Sequence, residues 1–199
     1  MDYLATYKEL LSIAQAGLHY GKDEFDRFRY QELNDLALQL LHSLGNEPQE
    51  AIMDLFSHES GYQTPKVDVR AWITKENYIL LVQDSKTKEW SLPGGYADVG
   101  FSPKENILKE VYEETGLTVN VKQLKAIFDT NLRKDIPQAF QYYKLVFGCE
   151  ILSGSFSKNL ETSQIGYFAI DNLPALSKKR TTKEQLVQLM QQEGPCNFE

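Results

Sequence analysis

Three glutamates in one segment of the chain have a spacing that suits metal binding. Glu110, Glu113 and Glu114 stand at i, i+3 and i+4, so in a helix their carboxylates share one face within about 100° of arc. Clustered carboxylates repel one another unless a cation lies among them, and oxygen ligands favour hard ions such as Mg2+ or Mn2+. Because glutamate-rich helix faces are commonly just solvated, the pattern depends on its surroundings for a functional meaning.

The segment around these glutamates carries clear helix signals. Ser102 and Glu105 form a Ser-x-x-Glu capping box around Pro103, and Gly116 provides a C-terminal stop. The spacing predicts a helix over 103–115. Its apolar face, roughly opposite the glutamates, is predicted to contain Leu108, Val111 and Tyr112.

Two successive glycines precede this helix. Gly94 and Gly95 close the segment Ser-Leu-Pro-Gly-Gly, which follows a strand-like run. Without a Cβ, such residues let the backbone approach a metal ion or a phosphate closely.

Residues 95–117 resemble the Nudix box, G-x(5)-E-x(7)-R-E-U-x-E-E-x-G-U, in which U is a bulky aliphatic residue. Gly95 matches the first glycine, Glu110 the acid of R-E-U, and Glu113-Glu114 the paired acids. Gly116-Leu117 matches the closing pair. Flanking segments at 92–94 and 171–174 also resemble the family, which extends the resemblance over roughly 66–176.

Two positions depart from the Nudix pattern. Phe101 replaces the first acid of the box, and Lys109 replaces its arginine. In the family these residues look like structural partners rather than principal metal ligands. Losing both leaves no buried charge without its partner, so we expect activity to be retained. The alternative is a decayed domain that binds a nucleotide without turnover, although such decay would be expected to remove the carboxylates.

The resemblance implies an α+β fold, a Nudix α/β/α sandwich with a mixed sheet. It implies a Mg2+-dependent hydrolase, with Mn2+ as the other candidate ion, that cleaves the diphosphate of a nucleoside diphosphate joined to another group. The implied metal ligands are Glu110, Glu113, Glu114 and the Gly94 carbonyl. The implied catalytic residues are Glu113, Glu114 and Glu161, the last being a loop candidate for the general base that could equally be an ordinary loop acid. Substrate-binding candidates are Lys66, Arg70, Gly95 and Arg133, although surface solvation is the commoner fate of such cations.

The hydrophobic pattern divides the chain near residue 62, because the apolar period changes there from helical to two. We therefore expect a helical extension over 1–61 and the Nudix domain over 62–199. In the extension, one helix is predicted from Asp2 to Ala16 before Gly17, and a leucine-rich helix is predicted to end at Gly45. The leucine-rich helix is defined by Leu33, Leu36, Ala37, Leu40, Leu41 and Leu44, and a third helix, capped by Asn46, by Ile52, Met53, Leu55 and Phe56.

The pattern beyond residue 62 predicts a series of strands and, near the end of the chain, a helix over 182–192. The first strand alternates apolar with other residues, which predicts a single apolar face. Further strands are predicted at Tyr78–Gln83, Val119–Val121, Leu124–Phe128, Tyr142–Ile151 and Ile165–Ile170. The strand order is not encoded in the pattern.

The charge and the cysteine content exclude several classes of protein. A net charge of −7 and a pI near 5.1 argue against a general nucleic-acid or membrane-surface binder, which needs a cationic face. The sequence has no apolar run long enough to cross a bilayer and no signal-peptide pattern, so a cytoplasmic protein is expected. Cys149 and Cys196 fit neither a disulfide framework nor a metal cluster, and both are expected to be free thiols.

The extension and the Gln63-Thr64-Pro65-Lys66 junction resemble an ADP-ribose pyrophosphatase-like Nudix group that includes a CDP-choline pyrophosphatase. This resemblance favours CDP-choline as the substrate, with ADP-ribose as the alternative. An RNA-processing enzyme and a catalytically silent nucleotide-binding regulator stay open as other classes. Aromatic faces for a choline group could come from Trp90, Tyr96, Tyr142 and Tyr143, which could equally be core. A small extension gains stability by packing on a second subunit, so a homodimer through these helices is expected.

Overall fold

The computed structural model describes residues 3–43, 62–133, 135, 136, 138, 140–192, 194 and 196–199. The chain forms two compact units, Met1–Pro65 and Lys66–Glu199. The limits inferred from the sequence, 1–61 and 62–199, stay a prediction. The predicted third helix and the predicted stop at Gly45 lie outside the described residues.

The described part of the first unit consists of two packed helices, α1 (Tyr3–Tyr20) and α2 (Glu24–Ser43). The expectation that α1 ends at Ala16 is wrong. Gly17 lies inside the helix, where a Cβ would collide with the ring of Tyr30, so the glycine admits the neighbouring helix instead of ending its own. The residues buried in this pair are Leu11, Ala14, Gln15, Ala37, Leu38 and Leu41.

The described residues of the second unit form two four-stranded sheets. One has the order β1-β6-β5-β8 and mixes parallel and antiparallel pairs, and the other joins β2, β3 and β4, with β7 pairing antiparallel to β3. The strands are β1 (Lys66–Trp72), β2 (Thr74–Lys75), β3 (Tyr78–Asp84), β4 (Trp90–Ser91), β5 (Leu117–Asp129), β6 (Tyr142–Gly154), β7 (Thr162–Ala169) and β8 (Asn197–Phe198). A short 3-10 helix, Thr130–Leu132, follows β5. The two segments predicted at Val119–Val121 and Leu124–Phe128 are one strand, because register shifts opposite β6 let β5 continue through them.

The part of this unit that the structure describes also contains the helices α3 (Pro103–Thr115) and α4 (Lys183–Gln191). The helix predicted over 103–115 is confirmed. Its capping box joins Ser102 and Glu105, and Gly116 ends it with a φ of 69°. Thr182 caps α4 in the same manner through Gln185.

The core lies in two clusters, one against each helix. Val69 and Ala71 of β1 pack in the cluster of α3, whereas Trp72 belongs to the cluster that includes Leu186 and Leu189 of α4. The prediction of a single apolar face for β1 is therefore wrong, since this strand is buried on both sides from residue 68 onward. Among the described residues, no helix combines the length and apolarity needed to span a bilayer.

Candidate active site

The Pro-Gly-Gly segment runs beside β1 and fixes one wall of the site. The amides of Ala71 and Val69 donate to the carbonyls of Pro93 and Gly95 at 2.8 and 2.9 Å. Gly94 between them has a φ of 135°, and a Cβ there would collide with the carbonyl oxygen of Val69. The backbone geometry therefore requires glycine, and it leaves the Gly94 carbonyl outside the pairing with β1.

Glu114 joins α3 to this segment. Its Oε2 accepts a hydrogen bond from the Gly94 amide at 2.7 Å, and the residue is only 9% exposed. Burial raises the pKa of Glu114 to about 7, and the charge of Glu110 adds to this effect, while the Arg70 guanidinium and the Gly94 amide oppose it. A cation bound beside this buried carboxylate would stabilise its charged form.

Glu110 lies against the second glycine. A Cβ on Gly95 would lie 2.6 Å from Glu110 Oε2, so the glycine leaves the space that the carboxylate occupies. Burial and then the neighbouring charge of Glu113 raise the pKa of Glu110, against opposing effects of Arg70 and Lys109. Glu110 and Glu114 thus approach successive residues of the same backbone segment.

Glu113 occupies a more open position on the same helix. About half of its side chain is exposed, and its Oε2 lies 3.8 Å from Lys109 Nζ. The prediction that Tyr112 packs on the opposite, buried face is wrong, because Tyr112 is 63% exposed. Ile107, which the sequence analysis did not select, is fully buried with Val111 and supplies that face.

The two unusual positions of the box contact one another, but the main partner of Lys109 is a third residue. Its Nζ lies 2.6 Å from Asp98 Oδ2 and 5.9 Å from the centre of the Phe101 ring. Asn106 holds this loop in place, because its side chain accepts from the Asp98 amide and donates to the carbonyls of Asp98, Phe101 and Ser102. Neither Asp98 nor Asn106 was among the residues predicted from the sequence. An acid among the variable positions of the box was the available signal for Asp98.

Glu161 lies in the loop before β7, and Asn159 of that loop donates hydrogen bonds to the Glu113 and Glu114 carbonyls at the end of α3. The charge of Glu161 makes a minor contribution to the raised pKa of Glu110. Glu161 itself is exposed. The structure thus brings Glu110 and Glu114 against the two glycines, with Glu113 on the same helix, and it bonds the loop of Glu161 to the end of that helix.

Arg70, a substrate-binding candidate from the sequence for which surface solvation was the alternative, is buried inside the domain. It is 5% exposed, and its guanidinium pairs with both oxygens of Asp68 at 2.8 and 3.2 Å and donates to the Leu92 carbonyl at 3.2 Å. Its charge acts on Glu110 and Glu114 from inside the domain. From this buried position, the positive charge of Arg70 stabilises the charged forms of Glu110 and Glu114.

The other two cations are not brought against the carboxylates by any described contact. Arg133 donates to Thr182 Oγ1 at 3.0 Å and to Glu184 at 3.4 Å, at the start of α4. Lys66 Nζ lies 4.7 Å from the centre of the Phe140 ring. Their assignment to substrate binding stays a prediction.

A hard divalent ion requires oxygen ligands, and the site offers carboxylate and carbonyl oxygens. Within the described part of the chain, no three His, Cys, Asp or Glu side chains converge into a preformed metal cage. Mg2+ rarely uses one, since it is usually held by one or two carboxylates together with water and substrate phosphates. The oxygen-only set of Glu110, Glu114 and the Gly94 carbonyl therefore fits a hard divalent ion.

Comparison with known proteins identifies both parts of the chain. Residues 64–190 match the NUDIX domain family, and residues 1–56 match the family described as the UDP-X-like, N-terminal oligomerisation domain. The chain therefore belongs to the Nudix hydrolase family. Nudix hydrolases generally depend on a divalent metal.

Three relatives are similar over large parts of the chain. YjhB of Bacillus subtilis strain 168, provisionally named an ADP-ribose pyrophosphatase, is 40% identical over 94% of this chain and 90% of its own length. A crystal structure of a UDP-X diphosphatase is 41% identical, with a TM-score of 0.65 over 100% of this chain and 98% of that one. An ADP-ribose pyrophosphatase from Streptococcus suis 89-1591 is 40% identical, with a TM-score of 0.61 over 68% of this chain and 100% of that one.

Proposed function

We propose that this protein is a Mg2+- or Mn2+-dependent pyrophosphohydrolase that cleaves ADP-ribose, with UDP-linked compounds as the second substrate class. The observation that carries the proposal is the approach of Glu110 and Glu114 to the Gly94–Gly95 segment, because it concentrates oxygen donors where a diphosphate could share an ion with them. The names of the relatives favour these substrates over CDP-choline, the first choice from the sequence.

In this proposal the residues of the site have separate roles. Glu110, Glu114 and the Gly94 carbonyl hold the ion, and Glu113 adds charge from the open end of the face. The bound ion supplies charge neutralisation at the diphosphate and lowers the pKa of water. Glu161 is the candidate base that takes the proton of the attacking water, since its loop is bonded to the end of the carboxylate helix.

Polar contacts to the rest of the substrate are assigned to residues around this face. The absence of a side chain at Gly95 keeps its backbone accessible, and Lys66 and Arg133 are the candidate partners for substrate phosphates. Arg70 supports the carboxylates from the interior, where its donors go to Asp68 and Leu92.

The aromatic residues proposed for a choline group separate into two sets. Trp90 is buried and packs edge to face on Phe168, so it belongs to the core. Tyr96 is exposed and stacks on Tyr142 with ring centres 5.4 Å apart. A stacked pair can receive a nucleobase as well as a quaternary ammonium group, so it does not favour CDP-choline.

A substrate panel tests the proposal. ADP-ribose, a UDP-linked sugar and CDP-choline are compared by kcat/KM with Mg2+, with Mn2+ and with chelator, and the products are separated. ADP-ribose is expected to give AMP and ribose 5-phosphate with the highest kcat/KM. Highest kcat/KM for CDP-choline would reverse the substrate choice, and turnover of no compound would reject the proposed substrates as a class.

We also propose that the protein is a homodimer through α1 and α2. The match of residues 1–56 to an oligomerisation domain supports this, as do apolar side chains of α2 that the described chain leaves exposed. Those side chains are Phe25, Phe28, Leu36 and Leu40. An RNA substrate is disfavoured by the net charge of −7.

A further inference from the structure

One side chain connects the carboxylate helix to the loop that carries Glu161. The Nδ2 of Asn159 donates to the carbonyl of Glu113 at 2.9 Å and to that of Glu114 at 3.1 Å. Its Oδ1 accepts from the amides of Glu161 at 3.0 Å and Thr162 at 2.7 Å. A single amide group therefore satisfies two carbonyls at the end of α3 and two amides of the loop.

The main chain of Glu161 is held on both sides. Its amide donates to Asn159 Oδ1, and its carbonyl accepts from the Ser85 amide at 2.7 Å. The Asn159 amide also donates to the Thr162 carbonyl at 3.1 Å, which closes the turn. The backbone position of Glu161 relative to α3 is thus set by hydrogen bonds and not by its own side chain.

The side chain of Glu161 has the opposite character. It is exposed, and none of the ion pairs among the described residues involves it. Its loop is attached to the end of α3 through Asn159, which lies two residues before it. An exposed carboxylate on a backbone that is fixed to the end of the carboxylate helix is suited to proton transfer.

We propose that Asn159 is a positioning residue that sets the place of Glu161 at the carboxylate face by linking its loop to the end of α3. The proposal rests on the proposed function, in which Glu161 accepts the proton of the attacking water. Asn159 acts through Glu161 and does not touch the substrate. A small shift of a reacting group can cost as much as about a hundredfold in rate, so the link has a measurable effect on turnover.

The first test is a double-mutant cycle with ADP-ribose and Mg2+. Glu161→Gln is expected to lower kcat by about a hundredfold or more, and Asn159→Ala by about ten- to a hundredfold with little change in KM. In the Glu161→Gln background, Asn159→Ala is expected to cost less than about twofold, because the group it positions has lost its base. Fully additive losses would overturn the proposal, as would parental kcat in Glu161→Gln.

A second variant separates the two halves of the link. Asn159→Asp keeps an oxygen for the amides of Glu161 and Thr162 but loses the donor to the Glu113 and Glu114 carbonyls. A carboxylate is also disfavoured at a helix C-terminus. This variant is expected to lose kcat as Asn159→Ala does, whereas parental kcat would show that the link to α3 has no role.

A matched control comes from the start of β7, the strand that follows this loop. Ser163 lies two residues beyond Glu161 and donates to the Gln83 carbonyl at 3.3 Å and to its Oε1 at 2.8 Å, with no described bond to α3. Ser163→Ala removes a comparable hydrogen bond, and it is expected to leave kcat within about twofold. A loss equal to that of Asn159→Ala would indicate general loop damage and overturn the proposal.

Amide hydrogen exchange gives a readout that does not need activity. Asn159→Ala is expected to accelerate exchange of the Glu161 and Thr162 amides, while amides in the middle of α3 keep their parental rates. Unchanged exchange at Glu161 and Thr162 would overturn the proposal even in an active enzyme. If the parent protein cleaves no compound of the panel, the proposed function fails, and the exchange result alone decides whether Asn159 fixes the loop.

Discussion

Lys109 Nζ and Asp98 Oδ2 lie 2.6 Å apart, across the loop that leads from the glycine pair to the carboxylate helix. Lys109 stands where the Nudix box has arginine, and Asp98 stands three residues before the position, here Phe101, where the box has its first acid. The acidic partner has therefore moved along the loop instead of disappearing. Neighbouring Asn106, which is fully buried, fixes the backbone that makes this pair.

The first prediction concerns restoration of the usual box. Phe101→Glu alone is expected to leave kcat/KM within about twofold of the parent, because Lys109 is already paired and an ammonium lacks the planar fork that binds a carboxylate at two points. Any gain requires Lys109→Arg in addition. The measurement is a double-mutant cycle on kcat/KM, and purely additive effects would count against coupling of the two positions.

The second prediction concerns Glu114. Glu114→Gln is expected to lower kcat by at least about a hundredfold, since it removes a charge from the proposed ion site. The amide oxygen can still accept from Gly94, and a neutral group is easier to bury, so the thermal midpoint is expected to stay at or above that of the parent. Activity and thermal unfolding are measured on the same samples.

Glu105→Gln is the matched control for Glu114→Gln. Glu105 lies on the same helix, but its carboxylate accepts from the Ser102 amide and hydroxyl in the capping box. This variant is expected to lower the thermal midpoint and to keep kcat close to the parental value. The reverse pattern, with an inactive Glu105→Gln and an active Glu114→Gln, would mean that the helix faces have been misassigned.

The third prediction uses the space at Gly95. A methyl group there would press on the end of the Glu110 side chain, which can rotate away at small cost in stability. Gly95→Ala is therefore expected to fold with a near-parental midpoint and to lose at least about tenfold in kcat/KM. Gly94→Ala serves as the contrast.

At Gly94 the obstacle is backbone and not a flexible side chain. A Cβ would meet the Val69 carbonyl at a φ that L residues rarely adopt, so Gly94→Ala is expected to lower the midpoint strongly. Equal midpoints for the two alanine variants would show that the described path of the glycine segment is incorrect.

Local sequence patterns predicted the parts of the site that depend on short-range rules. The capping box of Ser102 and Glu105 and the left-handed Gly116 follow from residues within one helix, and the structure confirms them. The pairing of Lys109 with Asp98 could not be derived in this way. It joins residues 11 positions apart, and it depends on a loop path that Asn106 sets from inside the domain.

Burial was harder to predict than secondary structure. Alternation along β1 indicated one apolar face, but packing of the sheet between α3 and α4 buries Arg70 and Trp72 as well as Val69. A polar residue can enter such an interior when a partner satisfies it, as Asp68 does for Arg70. The hydrophobic periodicity of a single strand does not indicate whether such a partner is present.

The fourth prediction concerns Lys144, a buried cation on β6 opposite Asp68. Its Nζ donates to the carbonyls of Lys179 and Arg180 at 2.7 and 2.6 Å. Burial lowers the pKa of Lys144 from 10.5 to about 8, the charges of nearby arginines add to the decrease, and Asp68 opposes it. The folded protein therefore releases this proton at lower pH than the unfolded chain does.

The sign of the pH effect follows from this order. Between about pH 8 and pH 10.5 the unfolded chain binds more protons at Lys144, so the contribution of this residue to stability rises with pH in that window. Below about pH 8 both states are protonated and the contribution is constant. Urea unfolding of the parent and of Lys144→Met at pH 7.5 and 9.5 tests this, with the parent expected to gain relative to the variant at the higher pH. A difference independent of pH would contradict the prediction.

The last prediction concerns assembly. Phe25, Leu36 and Leu40 fall on one stripe of α2 at helical spacing, and all three are exposed in the single chain. Because exposed apolar stripes are typical of protein interfaces, the full-length protein is expected to sediment as a dimer. Leu36→Asp places a charge in this stripe and is expected to shift the protein toward the monomer. Gln31→Glu, on another face of α2, is the control and is expected to remain dimeric. A full-length parent that sediments as a monomer would reject the homodimer, whereas a dimer insensitive to Leu36→Asp would move the interface to another surface.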